Sequence, residues 1–533
     1  MKKLTETCTL VLLAIILFIS GHHIEASFYD YAATTECLEE AQAAQYGGGT
    51  LFNRTFLQSS RKSLNHGASG KRTMDVTWVQ VSEGRQTVTV KFKGYNGETI
   101  PGGTVIAKAG CWSMLKGGVV VNSTEFFKIY YQGENPGVEI KVVNESLQGF
   151  TKEQWRAQQN ESIERIRKRN LRVEVVYANS TPVVGARVIF KQSWKAFPLG
   201  CSMNKDILAN KEYQEWFAAR FKVTAFNNEM KWYSTEKKQG QENYTIPDAM
   251  VRFCKENDIG IRGHNIFWDN PIEQPEWVKH LSPADLQKAA QKRINSIVSR
   301  YKGQVIGWDV MNENLHFHFF EDMLGENASA TYYSLASELD PDATMFMNEY
   351  NTIEQSGDGA ATPHKYLDKL REIQSFPQNA SSLKAGIGLE SRFGSGPPNL
   401  PYMRSALDIL GSTGLPLWLT ELDIKGQGLE EAEYFEDILR EGFSHPSVEG
   451  IVTWARLFDE QKSLSDVVDK LIAKWQTRKL DKSTDDRGSF VASLFLGGYN
   501  VTITVPATKS SYHLTLVLQD IPPGWPVVIH IPE

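Results

Sequence analysis

The chain predicts an α/β fold, a closed (β/α)8 or TIM barrel over 196–477, preceded by a β-sandwich and followed by a small all-β tail. Three observations predict it. From residue 197 onward, short apolar runs of strand length alternate with amphipathic helical segments, and eight such units in about 280 residues match the usual size of a closed parallel barrel. Upstream, 36–150 alternates apolar and polar residues with a period of two, the mark of half-buried strands. Beyond Thr477 that alternation returns and continues to Ile531. A length of 533 residues exceeds one domain, and 41% hydrophobic with 23% charged residues is ordinary globular composition. The formal charge of −6, without a long basic block, favours a neutral substrate over nucleic acid, whose binders carry a basic patch or stripe.

At the N-terminus, Lys2 and Lys3 precede an apolar run from Thr9 to Ser20, and small and polar residues lead on to Ala26. This is the pattern of a secretory signal peptide over 1–26. The run of about twelve residues is short for a bilayer span, and no later stretch reaches about 20 apolar residues; a signal anchor is the competing reading. Nine Asn-x-Ser/Thr acceptors follow, at Asn53, Asn122, Asn144, Asn160, Asn179, Asn243, Asn327, Asn379 and Asn500. Together they suggest a secreted, extracellular glycoprotein, free of the membrane once the signal is cleaved. Outside the leader stand Cys37, Cys111, Cys201 and Cys254, for which three connectivities are open. Cys37 with Cys111, both inside the first module, is the favoured pair. No two cysteines have zinc-ligand spacing, so no metal is expected.

Within 36–150 the strand runs are 76–82, 87–93, where Val88, Val90 and Phe92 alternate with polar neighbours, and 138–144. Trp78, Trp112, Tyr95, Tyr130 and Tyr131 offer flat faces suited to sugar rings, although most aromatics in so small a sandwich must be core. Segment 151–195 reads as a linker: a polar helix over 152–169 with Trp155, Ile163 and Ile166 as its apolar positions, then strand-like sequence to Phe190. The helix's Arg and Lys residues form a solvated face.

The candidate barrel strands are 197–203, 222–228, 260–268, 304–311, 343–350, 385–391, 416–421 and 450–456. Between the third and fourth, Ser282-Pro283-Ala284-Asp285 starts a helix with a cap residue, a first-turn proline and an acid. Leu286, Ala290, Ile294, Ile297 and Tyr301 make one buried stripe, and Gly303 stops it. The tail, 483–533, reads as a small β domain packed under the barrel or completing another domain's wall. A second sugar-binding role is its alternative.

Two stretches focus the chemistry: Gly307-Trp308-Asp309-Val310-Met311-Asn312-Glu313 and Leu417-Trp418-Leu419-Thr420-Glu421-Leu422-Asp423. Each is an apolar run ending in a carboxylate. Strands of a parallel barrel converge on one face at their carboxyl ends, so Glu313 and Glu421 can meet as an acid/base or acid/nucleophile pair. A strand-end Glu can also merely cap the following helix. That reading weakens when both occur, with Asn312 beside one and Asp423 beside the other. In Leu315-His316-Phe317-His318-Phe319 the alternate histidines suit a shared metal, but no third ligand lies nearby in sequence.

These stretches resemble the retaining xylanases of glycoside hydrolase family 10. Asn228-Glu229-Met230-Lys231-Trp232 looks like that family's second-strand motif and Arg262-Gly263-His264-Asn265-Ile266-Phe267-Trp268 like its third. Gly386-Ile387-Gly388 resembles the sixth strand and Trp454 the eighth. The likeness covers roughly 195–477. Upstream, Gly110-Cys111-Trp112-Ser113-Met114-Leu115-Lys116-Gly117-Gly118 is similar to the N-terminal region of land-plant members, and 36–150 to a shortened family 22 carbohydrate-binding module. The resemblance implies an endo-1,4-β-xylanase acting on cell-wall xylan without a cofactor. Glu313 would be its acid/base and Glu421 its nucleophile, with Asn312 on the sugar 2-hydroxyl. Asn228 and Lys231 would hold the non-reducing-side sugars, His264, Trp268 and Trp454 would line the cleaved sugar's subsite, and Tyr350 would touch substrate.

Three positions depart from the family pattern. Asp269 stands where most members have His, Asn227 replaces a sugar-binding Glu, and Arg392 replaces a His that hydrogen-bonds the nucleophile. An inward Arg392 would pair with Glu421, lower its pKa and restrain turnover, unless Asp269, Glu390 or Asp423 held the guanidinium away. Three functions therefore stand side by side: a hydrolase, a xylan transglycosylase, and a xylan-binding wall protein with impaired turnover.

Overall fold

The computed structural model describes residues 29–46, 54–57, 62–64, 71–94, 97–121, 127–376, 383–426, 428–522 and 524–532. The leader expected over 1–26 lies outside the described residues, as do Asn53, Asn122, Asn379 and Tyr95. The chain forms two compact units, 1–31 and 32–533, and every element below belongs to the second.

Eight parallel strands build the barrel: β1 (Leu199–Cys201), β2 (Val223–Ala225), β3 (Gly260–Trp268), β4 (Gly307–Asn312), β5 (Thr344–Glu349), β6 (Ala385–Leu389), β7 (Leu417–Ile424) and β8 (Val448–Thr453). Their order is β1-β8-β7-β6-β5-β4-β3-β2, and a bridge between Met203 and Phe226 joins β1 to β2. Each expected segment overlaps a strand; the first two strands are only three residues long, the fourth and seventh run on to Asn312 and Ile424, and the eighth starts at Val448 instead of 450. Strands covered on both faces read as continuous apolar runs, and β4 and β6 are buried along their whole length. Large rings pack against glycines of the barrel wall. A Cβ on Gly263 would sit 2.2 Å from the Trp308 ring, and one on Gly450 2.5 Å from that of Trp418.

The Pro283–Tyr301 helix starts on Ser282, whose side chain accepts from the Asp285 N–H, and buries the expected stripe together with Arg293. That buried guanidinium is satisfied by the carbonyls of Met230, Asn265 and Ile266, and so ties the helix to β3 and to the loop after β2.

Upstream lies a sandwich of two four-stranded sheets. One runs Arg54–Leu57, Glu139–Phe150, Lys71–Val81, Ser113–Val121; the other Lys62–Leu64, Phe127–Gly133, Arg85–Lys93, Thr99–Lys108. Val79, Val88, Val90, Leu115 and Ile140 are part of its core. Cys37 is disulfide-bonded to Cys111, while Cys201 and Cys254 are buried thiols. Of the candidate stacking rings, Trp78 and Tyr131 are core, and Trp112 and Tyr130 are half-buried.

This sandwich is seated on the barrel's helices. Lys116 Nζ lies 2.8 Å from Asp408 in the Leu400–Gly411 helix, with both side chains 0% exposed. His445 Nε2 reaches the other Asp408 oxygen at 2.9 Å. Gly118 permits the close fit, since a Cβ there would lie 2.5 Å from Pro401 Cβ, and its carbonyl accepts from Asn399 Nδ2 at 3.1 Å.

Segment 151–195, expected as a linker, is built into two neighbours. Its helix, Lys152–Ile166, buries Gln158, Gln159 and Ser162 as well as Trp155 and Ile163, and the polar atoms of Trp155, Gln159 and Ser162 find partners on the Leu429–Ser444 helix. Trp155 Nε1 and Gln159 Nε2 each donate to Glu441 at 2.8 Å, and Ser162 Oγ donates to the Ser444 carbonyl at 2.6 Å. Its strands, Lys168–Tyr177 and Arg187–Lys195, pair with Ser489–Phe495, Val527–Ile531, Leu480–Ser483 and Gly497–Thr504. The tail beyond 483 is thus half of a second β-module, whose shared core includes Val173, Phe190, Tyr499 and Ile503.

Because removing one partner of a buried ion pair typically costs about 3–5 kcal/mol, Lys116→Met is expected to lower the midpoint of urea unfolding followed by tryptophan fluorescence. An unchanged midpoint would show that the pair adds nothing to the seating of the sandwich.

Candidate active site

β4 and β7 carry Glu313 and Glu421 to the carboxyl-end face of the barrel. Glu313 follows β4 with φ +60°, a left-handed conformation costing a non-glycine residue about 1–3 kcal/mol. Its N–H donates to the Asn348 carbonyl at 2.8 Å, and its own carbonyl accepts from the Phe317 N–H at 3.0 Å, so the turn is held from both sides. The Glu313 Oε2 accepts from Trp268 Nε1 at 2.7 Å. Glu421, 3% exposed, accepts from Asn348 Nδ2 at 3.0 Å and from Arg392 Nη2 at 2.6 Å. His264 Nε2 stands 3.7 Å away.

These surroundings drive the two carboxyls apart. Burial pushes Glu313 up to about 7; the Trp268 donor opposes this, and the nearby Glu349 and Glu421 charges add to it. Burial alone would raise Glu421 as well, but Arg392, His264 and Lys231 outweigh it and hold the carboxyl down at about 2. Near neutrality one group carries a proton and its partner a charge, the division of labour that acid/base and nucleophile roles require. Glu390, at the end of β6, is pushed well above the carboxylate range by burial and by Glu421 and Glu313. It lies between Arg392 Nε at 3.5 Å and Asn312 Nδ2 at 3.3 Å.

The β3 side chains beside the pair are themselves held. Asp309 of β4 holds Arg262 at 2.5 Å and His264 Nδ1 at 2.9 Å, which leaves Nε2 turned to Glu421. Lys231 Nζ sits 4.3 Å over the Trp268 ring and 3.4 Å from Asn228 Oδ1; Asn228 itself is exposed. The Trp454 ring lies edge-on to His264 at 5.2 Å, with the Arg392 guanidinium 5.5 Å from its centroid. Tyr350 stacks on His316 with centroids 3.9 Å apart. Asn312, 2% exposed, accepts from Asn348 Nδ2 at 2.9 Å.

Arg392 does point inward. Glu390 and Asp423 are the acids near it, whereas Asp269 is not: it accepts from Asn314 Nδ2 at 2.7 Å and the Phe320 N–H at 3.0 Å, and so fixes the loop after β4. Asn227 Oδ1 is buried without a hydrogen-bond partner among the described residues. His316 meets Glu349 through Nδ1 at 2.7 Å and Asp358 through Nε2 at 3.0 Å, whereas His318 is exposed. Among the described residues no group of three or more His, Cys, Asp or Glu is placed to hold a metal ion. Asp309, Asn348 and Glu349 escaped the sequence reading. Their signal was a polar residue inside an otherwise apolar strand, in Trp308-Asp309-Val310 and Phe346-Met347-Asn348-Glu349.

The family model described as Glycosyl hydrolase family 10 matches residues 189–472. The chain is 45% identical over 522 residues to Endo-1,4-beta-xylanase 5-like of Arabidopsis thaliana, covering 91% of each chain. It is 39% identical over 535 residues to Endo-1,4-beta-xylanase 4 of the same plant, covering 94% of each. Among solved structures, xylanase 10B of Thermotoga petrophila in complex with xylobiose aligns at 21% identity and a TM-score of 0.45, over 52% of this chain and 95% of that one.

The opposed carboxyls can be read by NMR titration of 13C-labelled Glu side chains. Glu313 should titrate with a midpoint near 7 and Glu421 near 2. Arg392→Leu should move the Glu421 midpoint upward, because burial then faces less opposing charge. A Glu421 midpoint unmoved by that substitution would mean that the guanidinium does not hold its charge.

Proposed function

The chain belongs to glycosyl hydrolase family 10, and from that premise we propose that it is a secreted endo-1,4-β-xylanase that cleaves cell-wall xylan with retention. The observation that carries the reading is the pair of buried carboxyls at the carboxyl-end face of the barrel, Glu313 bonded to Trp268 and Glu421 to Asn348 and Arg392. In the first step the Glu421 carboxylate attacks the anomeric carbon as the glycosidic bond breaks, and Glu313 gives its proton to the leaving oxygen. In the second, ionised Glu313 takes a proton from water, the water oxygen bonds to the anomeric carbon and Glu421 leaves. No cofactor enters. Lys231, Trp268, His264, Trp454, Asn312 and Tyr350 surround the pair and supply sugar contacts, with Asn228 at the exposed rim. The exposed sequon residues Asn160, Asn179, Asn243, Asn327 and Asn500 fit a glycosylated exported chain. Tyr130 and Trp112 are the sandwich aromatics that could meet polymer.

One observation favours a second reading, of restrained turnover or of transfer to a sugar hydroxyl in place of water. Arg392 engages an oxygen of Glu421 at 2.6 Å, and whatever part of that contact is lost as the carboxylate attacks adds to the barrier. Products from xylohexaose separate the possibilities: shorter ones alone for a hydrolase, longer ones also for a transglycosylase, and none despite binding for an impaired protein.

On these roles Glu421→Ala should abolish turnover of xylan, whereas Glu313→Ala should spare the first step on substrates with good leaving groups, which need little proton donation. Parent-rate hydrolysis by Glu421→Ala would overturn the nucleophile assignment. Retention further requires a carboxyl separation of about 5–5.5 Å and release of the β-anomer first, visible by proton NMR. Initial α-anomer would contradict it. Arg392→His should raise kcat/KM on an aryl xylobioside about tenfold, the factor that corresponds to about 1.4 kcal/mol. An equal or lower value in a folded variant would show that the arginine is tolerated or required.

A further inference from the structure

The Gly110–Gly118 motif is not used by the catalytic residues, and its position shows what it does. Cys111 is disulfide-bonded, Lys116 is ion-paired with Asp408, and Gly118 receives Pro401, so the motif seats the N-terminal sandwich on the barrel. A sandwich fixed in this way cannot behave as a freely tethered module. Its Thr99–Lys108 strand carries Pro101 to the loop that follows β5, where the Pro101 carbonyl accepts from Ser356 Oγ at 2.5 Å.

That loop, 351–360, is a junction. Asp358 in it accepts from Asn351 Nδ2 at 2.7 Å and faces His316 Nε2 at 3.0 Å, and His316 is the ring on which Tyr350 stacks. The Thr352 carbonyl accepts from Tyr402 Oη at 2.9 Å, on the helix that receives the sandwich. Glu354 accepts from the Arg392 N–H at 2.8 Å, next to the Glu421 contact. The platform adjoins the acid/base, since the His316 N–H reaches the Glu313 carbonyl at 3.3 Å. A general acid must stand beside the leaving oxygen, so a ring next to it faces the leaving-group sugars.

We propose that the N-terminal sandwich is a fixed wall of the catalytic unit, and that its Pro101 contact, acting through Ser356 and Asp358, positions the Tyr350–His316 platform for the leaving-group side of the substrate. Ser356 and Asp358 are positioning residues. The platform's role rests on the xylanase reading above, whereas the brace itself does not. A ring presented on a loop contributes binding only if its orientation is held beforehand, because ordering the loop on binding would otherwise consume the gain. An intermodule contact at Ser356 supplies that order from outside the barrel.

The test uses the full chain with Ser356→Ala, Asp358→Asn and, as the conservative control, Ser356→Thr. For the first two, KM on xylohexaose should rise about tenfold, kcat on an aryl xylobioside should stay within twofold, and cleavage of end-labelled xylohexaose should shift towards its reducing end. Ser356→Thr, which keeps the hydroxyl, should restore parent values. Amide exchange across 351–360 should be at least tenfold faster in Ser356→Ala than in the parent. Unchanged KM and cleavage pattern in a folded Ser356→Ala chain would overturn the positioning role, and unchanged exchange would overturn the brace. If the parent neither binds nor cleaves xylohexaose, the xylanase reading and the platform's role fall together, while the exchange measurement still decides the brace.

Discussion

Keeping one charged carboxylate inside the mouth of a barrel is the constraint on which the rest of this site depends. Burial penalises the ionised form of Glu421, and only favourable charge and hydrogen bonding can keep it ionised there. Arg392, His264, Lys231 and Asn348 supply these from four different elements, and each of them must itself be held. His264 is fixed by Asp309, Asn348 by Asn312 and Thr420, and the Arg392 backbone by Glu354. Glu313 and Glu390, buried nearby, are shifted the opposite way, because burial and the neighbouring carboxyls outweigh the Trp268 donor at one and Arg392 at the other.

The departure at position 392 gains meaning from this balance. A histidine at the nucleophile can give up its positive charge, whereas an arginine cannot, and its planar donors bind a carboxylate strongly. Arg392 makes Glu421 a more secure anion and a more tightly held one.

The frame around the site is heavier than a lone barrel. The sandwich rests on the Leu400–Gly411 helix through a fully buried lysine–aspartate contact, and the 152–166 helix rests on Leu429–Ser444 through Trp155 and Gln159. Buried ion pairs of this kind are weak sources of stability but strict about geometry, since an unpaired partner is costly. They specify one seating of the modules, and through Pro101 that seating reaches the loop beside the acid/base.

The eight strands and the position of Glu313 and Glu421 at the carboxyl-end face were legible in the sequence, because periodicity and strand-end position are local properties that a barrel converts into one face. The disulfide was also legible, since both cysteines belong to the same module. The tail was legible as all-β but its partners were not: strands 168–177 and 187–195 pair with partners about 300 residues later, and nothing in a local pattern names a distant partner. The polar residues that complete the site, Asp309, Asn348 and Glu349, looked like interruptions of apolar strands. Asp269 looked like a neighbour of Arg392 until the fold turned it towards Asn314. Sequence alone determined which residues could carry the chemistry. Which of two similar carboxyls is charged was decided by tertiary structure, because that depends on burial and on charges delivered from other strands.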